Sequence, residues 1–267
     1  MTTSFMNKLV LLYYKNRWKG FSRFWQFLKR FGYNPYLITR NQYGVSFYLN
    51  PENYIDSYVI RSGYYESEVL DTILEYVKDD SIFWDIGSNF GLHAVTLKYI
   101  KPNCQVISVE PSPIMASQIV ANSKLNNIQL DLINIALSDS PSFQNLHLMD
   151  GNPGMTTLKP WDKAVYSNKV LCWCDTGDNL VINKVLPQPT IIKIDVEGSE
   201  LDAFMGMLHI LGNKSLKAII FEAGIDFIDD KSSKMYELLS SFGFTFKSLS
   251  RNENTSHNLD NFLALRS

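Results

Sequence analysis

The sequence predicts an α/β fold of the Rossmann-like type, with a mostly parallel seven-stranded sheet and an antiparallel last strand. From residue 81 onward, apolar strand segments alternate with helix segments, as in a parallel sheet that is covered on both faces. A glycine-containing turn follows the first of these strands. Only a loop separates the last two strands, so we expect them to pair as an antiparallel hairpin.

The first 60 residues are predicted to form a basic helical and hairpin extension, followed by the main domain over residues 61–267. All 27 acidic residues lie from Glu52 onward, whereas eight of the 25 basic residues precede it. Apolar residues recur at helical spacing between Phe21 and Phe31, and a hairpin is expected over residues 36–49. We expect the apolar stripe to dock on the main domain, although a basic arm is also compatible with contact to a membrane surface or a protein.

The remaining elements follow from the apolar periodicity. A helix is predicted at 66–77, strands at 82–86, 105–110, 130–135, 190–195, 217–222, 244–249 and 261–266, and helices at 91–100, 112–126, 199–211 and 232–242. Residues 136–189 are less regular and rich in glycine and proline. They are predicted to be an insertion over the carboxyl edge of the sheet, where ligands bind in open α/β folds.

The cysteines and the apolar runs favour a cytoplasmic protein. Three cysteines provide no paired disulfide framework, and Cys172 and Cys174 would pack on one face of a strand. The longest apolar run near the N-terminus, residues 9–14, is too short to span a membrane, and no signal-peptide pattern is present.

The turn over residues 85–91 predicts a cofactor site. Gly87 permits a tight turn and the close approach of a ligand, and Gly91 permits close packing where the helix begins. The glycine spacing differs from the dinucleotide-binding pattern and from a Walker loop. Asp85 would repel a pyrophosphate but suits a ligand that carries an ammonium and a sulfonium. The turn, with Ser88 and Asn89, therefore favours S-adenosylmethionine over NAD.

Three further strand ends carry acidic residues. Glu110 ends the second strand, where an acid accepts hydrogen bonds from ribose hydroxyls, and Pro111 and Ser112 begin the next helix. Asp195 and Glu197 follow a later apolar strand. The remaining candidates share this region: Ser199, expected to cap the following helix, and Glu222, after the next strand.

Together these motifs resemble the FkbM family of methyltransferases from about residue 60 to the C-terminus. Besides the turns at 85–91 and 109–113, the resemblance rests on Tyr65-Glu66, Ala121-Asn122, Leu125-Asn126, residues 136–139, Gly154 with Thr156-Thr157-Leu158, residues 193–200, and residues 261–264. There is one departure. The family usually has Thr-Leu-Asp where this chain has Thr176-Gly177-Asp178.

The resemblance implies a class I methyltransferase sheet, S-adenosylmethionine as methyl donor, and a hydroxyl acceptor on a sugar, glycan or natural product. It adds Glu66, Ala136 and Leu137 to the expected cofactor site. A hydroxyl must lose its proton during transfer, so a base or a metal is needed. Asp195 is the first candidate, as general base or as a contact to the methionine end of the cofactor.

Glu197 and Glu222 are the alternative bases. We predict no metal site, and a divalent ion bound by these acids is the alternative. His93 is expected to be packed or to face the cofactor. Two other functions remain open: a non-catalytic cofactor-binding scaffold, and a methyltransferase acting on nucleic acid. The acidic core argues against a nucleic-acid partner. The sequence leaves the oligomeric state open.

Overall fold

A computed structural model describes residues 8, 10–12, 20–32, 36–149, 155–161, 164–249 and 259–266 of the chain. The strands in chain order are β1 (Leu37–Arg40), β2 (Ser46–Leu49), β3 (Ile82–Ile86), β4 (Gln105–Val109), β5 (Asp131–Ile133), β6 (Ala136–Leu137), β7 (Ser142–Met149), β8 (Thr156–Thr157), β9 (Tyr166–Asp175), β10 (Ile191–Ile194), β11 (Ala218–Gly224), β12 (Thr245–Ser248) and β13 (Leu259–Leu265).

A helix precedes β1, and the others lie between strands. They are α1 (Phe21–Arg30), α2 (Tyr54–Ser62), α3 (Ser67–Tyr76), α4 (Leu92–Ile100), α5 (Pro113–Leu125), α6 (Gly177–Ile182), α7 (Glu200–Met205), α8 (Leu208–Gly212) and α9 (Lys234–Ser241). No helix in the described ranges is both long and apolar enough to cross a membrane.

The central sheet has seven strands in the order β12-β13-β11-β10-β3-β4-β5. Strands β11, β10, β3, β4 and β5 pair in parallel, and β13 pairs antiparallel with both β11 and β12. The predicted class I methyltransferase sheet with an antiparallel last strand is therefore confirmed.

Alternate residues of each central strand pack into separate apolar cores on the two faces. In β3, Trp84 packs with the residues of α7 and α8 such as Phe204, whereas Phe83 packs on the opposite face with residues of α3 and α4 such as Ile73. Both side chains are completely buried. Because both faces are covered, the strands are nearly continuous apolar runs, which is why they are recognisable in the sequence.

Several predicted elements differ from the structure. The predicted insertion at 136–189 is more regular than expected, since it forms a second sheet in the order β6-β9-β7-β8. The helix predicted at 199–211 is wrong as a single element: it divides into α7 and α8. A Cβ on Gly206, between them, would lie 2.0 Å from the carbonyl oxygen of Ser138, so the chain approaches too closely for a side chain. Helices α2 and α6 were not predicted.

The departure at Gly177 has a packing explanation. A Cβ at this position would lie 2.5 Å from Cγ of Met207 and 3.1 Å from Cδ1 of Ile210, so these two side chains fill the space of a larger residue. The retained Asp178 accepts hydrogen bonds from the backbone N–H groups of His209 (2.7 Å) and Ile210 (3.0 Å) at the start of α8.

The N-terminal elements pack against α4 and α5. Trp25 and Leu28 of α1 are buried in one cluster with the hairpin β1–β2 and with Phe90. The expected docking of the stripe is confirmed for these two residues, whereas Phe31 is 76% exposed. Lys15, Arg17 and Lys19 of the basic arm lie outside the described residues. The boundary near residue 60 and the role of the arm stay predictions.

Side chains of α5 and of Asn126, directly after it, cover the outer edge of β2. Asn126 accepts from the N–H of Ser46 (2.9 Å) and donates to its carbonyl (2.7 Å). Asn122 accepts from the N–H of Tyr48 (2.9 Å), and Gln118 donates to its carbonyl (2.8 Å). The asparagines of the family motif therefore attach the hairpin to the main domain.

The cysteines agree with their expected packing. Cys172 and Cys174 lie on β9 in one small apolar cluster, and both are buried. Together with Cys104 they are free thiols.

Candidate active site

The carboxyl ends of the central strands bring the candidate residues into one row. Ile194 of β10 pairs with the last residue of β3 and with the residue that precedes Glu222. The residues that follow these pairs, Gly87, Asp195 and Glu222, are therefore neighbours across the sheet edge. Asn261 of β13 pairs with Glu222 and extends the row.

Gly87 is required by the close approach of two backbone segments. It has φ +76°, and a Cβ there would lie 1.8 Å from the carbonyl oxygen of Asp195. Gly91 has φ +85°, and its Cβ would lie 3.0 Å from Val95 and 3.2 Å from Ile119. The close packing predicted at Gly91 is therefore present. At Gly87, the group that approaches closely is the backbone at the end of β10.

Glu110 organises the start of two helices. One carboxylate oxygen accepts from the N–H of Asn89 and the other from the N–H of Ser112, each at 2.8 Å. Burial raises the pKa of Glu110 to about 7, although these two hydrogen bonds act to lower it. Ser112 is fully buried and caps α5 by accepting from the N–H of Met115 at 3.4 Å.

Asp85 lies beneath the row and is paired with a lysine that the sequence analysis did not assign. Asp85 is completely buried, and no side chain in the described part of the chain donates a hydrogen bond to its carboxylate. The ammonium of Lys193 lies 3.8 Å from it and 3.1 Å from the carboxylate of Asp195. Burial acts to lower the pKa of Lys193, but Asp195, Asp85 and Glu66 outweigh it and hold the pKa above its ordinary value. The sequence signal for this contact is the position of Lys193 within an otherwise apolar strand.

Glu66 joins the site from the N-terminus of α3. Its carboxylate accepts from the Nδ2 of Asn261 at 3.2 Å and lies 3.7 Å from the Nε2 of His93. Burial raises the pKa of Glu66, but His93, Lys193 and Asn261 outweigh burial and hold it below its usual value. His93 is buried, and its Nδ1 lies 3.2 Å from the hydroxyl of Tyr64, as expected for a packed histidine.

Glu222 and Glu197 have strongly raised pKa values. Burial, followed by the charges of Asp195 and Glu197, raises the pKa of Glu222 to about 9. Burial, Asp195 and Glu200 raise that of Glu197 to about 8. The acids Glu66, Asp85, Asp195, Glu197 and Glu222 thus outnumber the ammonium of Lys193 in the described site, and the repulsion that raises the pKa of Glu197 and Glu222 would be relieved by a cationic ligand.

A cleft of about 620 Å³, partly open to solvent, lies over this edge of the sheet. The predicted site residues that line it are Gly87, Asn89, Glu110, Pro111, Ala136, Leu137, Asp195 and Glu197. Six others are not among its lining residues: Glu66, Asp85, Ser88, Gly91, Ser112 and Glu222. Ser88 instead donates its hydroxyl to the carbonyl of Asp85 at 2.6 Å.

The second sheet and the turn after β10 supply cleft residues that the sequence analysis missed. Thr156 and Thr157 of β8 line the cleft, and the Thr157 hydroxyl donates to the carbonyl of Glu197 at 2.9 Å. The expected cap at Ser199 is wrong, because its hydroxyl makes no cap hydrogen bond. Ser199 lies 1% exposed in the cleft lining, with no hydrogen-bond partner among the described residues.

Glu200 holds the turn after β10 in place. Its carboxylate accepts from the N–H groups of Val196 (3.1 Å) and Gly198 (3.3 Å). No set of three metal-binding side chains is formed within the described ranges.

The sequence matches the model of one protein family. The family model of the methyltransferase FkbM domain matches residues 85–246, which includes the glycine turn, Glu110 and the acids at 195–200. The chain belongs to the FkbM methyltransferase domain family. The resemblance found in the sequence is thereby confirmed.

Relatives of this FkbM-domain chain are distant. It is 27% identical over 161 residues to the hexuronic acid methyltransferase AglP of Haloferax volcanii, covering 60% of this chain and 64% of AglP. The chain thus spans somewhat less than two thirds of that relative. The crystal structure of methyltransferase FkbM from Methylobacillus flagellatus KT aligns with TM-score 0.46 and 15% identity, over 72% of this chain and 45% of that one. A precorrin-6y C5,15-methyltransferase from Geobacter metallireducens GS-15 aligns with TM-score 0.45 and 18% identity, over 75% and 88% of the two chains.

Proposed function

We propose that the protein is an S-adenosylmethionine-dependent O-methyltransferase that acts on a hydroxyl of a sugar, a glycan or a natural product. Membership of the FkbM family supports the reaction class. The observation that carries the proposal is the row of carboxylates beside the Gly87 turn, with a single buried ammonium among them. Such a site attracts a ligand with an ammonium and a sulfonium and disfavours the phosphates of NAD.

The residues present fit this cofactor. Each oxygen of Glu110 accepts one backbone N–H, so each keeps an acceptor position for a ribose hydroxyl. Ile135, Ala136 and Leu137 provide an apolar wall beside Glu110 that suits an adenine ring. Asp195 lies at the rim, where its carboxylate can contact the methionine end.

We assign the base to Glu222 in preference to Asp195; Glu222 lies beside the cleft lining rather than in it, as the neighbour of Asp195 across the sheet edge. The carboxylate of Asp195 is already engaged by the ammonium of Lys193 at 3.1 Å. Glu222, by contrast, has a pKa raised to about 9. A cation bound beside Glu222 would lower this value toward neutrality, where a general base works best. Glu197 is the alternative.

S-adenosylmethionine, held by Glu110 and Asp195, would supply the methyl group, with S-adenosylhomocysteine as the second product. The chain must align the acceptor oxygen with that methyl group and receive the hydroxyl proton on Glu222. The name of the relative AglP, a hexuronic acid methyltransferase, supports a sugar as the acceptor class.

Calorimetric titration with S-adenosylhomocysteine, with NAD titrated in parallel, tests the donor. We expect micromolar binding of the first and none of the second. Absence of binding by S-adenosylhomocysteine would favour a scaffold protein without catalysis, and binding of NAD would contradict the donor assignment.

The base assignment is tested by comparing Glu222→Gln with Asp195→Asn. We expect Glu222→Gln to lower kcat by about 100-fold or more while the Kd for S-adenosylhomocysteine changes little. Asp195→Asn should weaken cofactor binding. Full turnover in Glu222→Gln would exclude Glu222 as the base, and the same measurement on Glu197→Gln would test the alternative.

A further inference from the structure

The turn after β10 holds Glu197 in a backbone conformation that is rare for a residue with a side chain. Glu197 has φ +55°, in the left-handed region that favours glycine, and it lines the cleft. The next residue, Gly198, is also left-handed, with φ +93°. A glutamate kept in this conformation at the edge of a cleft points to a use of its side chain there.

Contacts from two sides fix this conformation. The carboxylate of Glu200 accepts from the N–H groups of the residues directly before and after Glu197. On the other side, the hydroxyl of Thr157 lies 2.9 Å from the carbonyl oxygen of Glu197 and 3.1 Å from that of Lys159, and it accepts from the N–H of Lys159 at 2.9 Å. Thr157 is 3% exposed, so the second sheet anchors the turn through a buried hydroxyl.

Three acids of the described chain line the cleft, and two of them already have partners. Glu110 accepts from two backbone N–H groups, and Asp195 is paired with Lys193 at 3.1 Å. Among the described residues, none donates a hydrogen bond to the carboxylate of Glu197 or pairs with it as a cation. The charges of Asp195 and Glu200 lie near this carboxylate, so a cation beside Glu197 would relieve their repulsion.

We propose that Glu197, positioned by Thr157, recognises the sulfonium of S-adenosylmethionine and distinguishes it from the neutral thioether of S-adenosylhomocysteine. The two molecules share the adenosine and the ammonium and carboxylate of the amino-acid end. They differ in one methyl group and in the charge on sulfur. An unpaired carboxylate in the cleft therefore favours the methyl donor over the demethylated product. This inference rests on the proposed function and adds discrimination between the two ligands to it.

The test titrates the unmodified protein and Glu197→Gln calorimetrically with each ligand, without an acceptor. The preference for S-adenosylmethionine is the Kd for S-adenosylhomocysteine divided by the Kd for S-adenosylmethionine. We expect Glu197→Gln to lower this preference by about tenfold, because it removes a charge attraction that S-adenosylhomocysteine lacks. The Kd for S-adenosylhomocysteine should change little.

An unchanged preference in Glu197→Gln would overturn the proposal. If turnover were lost at the same time, Glu197 would instead act as the alternative base. Failure of the unmodified protein to bind S-adenosylhomocysteine would contradict the proposed function itself, on which this inference depends.

Thr157→Val tests the positioning of Glu197, since valine keeps the shape of threonine and removes the hydroxyl. We expect the preference to fall by about threefold, because one hydrogen bond to a carbonyl is lost, and Thr157→Ser should restore it. Thr190→Val is the matched control. The Thr190 hydroxyl also accepts from one backbone N–H and donates to one carbonyl, both of Ile82, at the opposite edge of the central sheet. A normal preference in Thr157→Val, or an equal loss in Thr190→Val, would remove Thr157 from this role.

Discussion

Gly87 and Asp195 approach so closely that the first carbon of a side chain at residue 87 would lie 1.8 Å from the Asp195 carbonyl oxygen. The chain segments that follow β3 and β10 therefore approach each other too closely for a methyl group to fit between them. The contact aligns the glycine turn with the carboxylates that follow β10.

Gly87→Ala should prevent this contact. Residue 87 has φ +76°, so alanine would add backbone strain to the collision, and we expect a loss of about 2–4 kcal/mol in the free energy of unfolding. Cofactor affinity should fall as well. Urea denaturation and titration with S-adenosylhomocysteine measure the two effects.

Gly243→Ala is the control for strain alone. It has φ +85° but its Cβ would meet nothing nearer than Arg266 at 3.9 Å. We expect a loss of about 1–2 kcal/mol and normal cofactor binding. Equal effects of the two variants would show that the collision with Asp195 is unimportant.

Glu110→Ala should affect both stability and binding. It removes the acceptor of two backbone N–H groups, which costs about 1–3 kcal/mol for each group left unsatisfied. We expect the Kd for S-adenosylhomocysteine to rise at least about tenfold, since a good hydrogen bond to ribose contributes about 1.5–3 kcal/mol when the acceptor is charged. Glu110→Gln keeps one acceptor oxygen and should be intermediate. An unchanged Kd in Glu110→Ala would remove Glu110 from the cofactor site.

Lys193→Met should be strongly destabilising at neutral and alkaline pH. The variant leaves Asp85 buried without its cation, and breaking a buried pair in this way costs about 3–5 kcal/mol. The loss should be smaller at pH 5, where the neighbouring acids can take up protons. Thermal unfolding of both proteins from pH 5 to pH 9 measures this. Lys217→Met, at an exposed position beside β11, should change little. A loss that is independent of pH would contradict the role of charge.

Stability of the unmodified protein should fall as pH rises from about 5 to 9. Burial raises the pKa of Glu222 from 4.5 to about 9 and that of Glu197 to about 8, so the folded state binds these protons more tightly than the unfolded state. Their contribution is complete below about pH 4.5 and is lost as pH rises through the folded values. Glu66, with its lowered pKa, acts below this window.

Urea denaturation across this pH range measures the slope, and Glu222→Gln should make it shallower from about pH 5 to 9. A stability that increases with pH, or an unchanged slope in the variant, would contradict the raised pKa of Glu222.

The order of elements and the acids at the strand ends were predictable because they depend on local patterns. Buried strands such as Ile191–Ile194 are short apolar runs, and an acid directly after them is visible in the sequence. The second sheet was not predictable in this way. Its strands β7 and β9 pair across a segment with glycines and prolines. The apolar side chains of Phe143 on β7 and Leu171 on β9 are each 66% exposed, so apolar and polar residues do not alternate regularly along these strands.

The contacts of Glu66 and Ser199 also required the structure. Glu66 meets Asn261, which is 195 residues away along the chain, so no local pattern encodes the pair. Ser199 has the residue type and position of a helix cap, but its hydroxyl makes no cap hydrogen bond. The carboxylate of Glu200 accepts instead from the N–H groups of Val196 and Gly198, which precede the helix, and no local pattern shows this arrangement.

The amide side chains along α5 have a consequence for the behaviour of the protein in concentrated solution. A two-stranded hairpin with an open edge is a template on which a strand of another molecule can add. Here the N–H and carbonyl groups of Ser46 and Tyr48 are already bonded to side chains of a helix. These side chains occupy the hydrogen-bonding groups that a further strand would use, and so they protect the hairpin against self-association. Replacing Asn122 and Asn126 would leave the backbone groups of this strand edge free to pair with another molecule. We expect the effect to appear as aggregation rather than as a lower kcat.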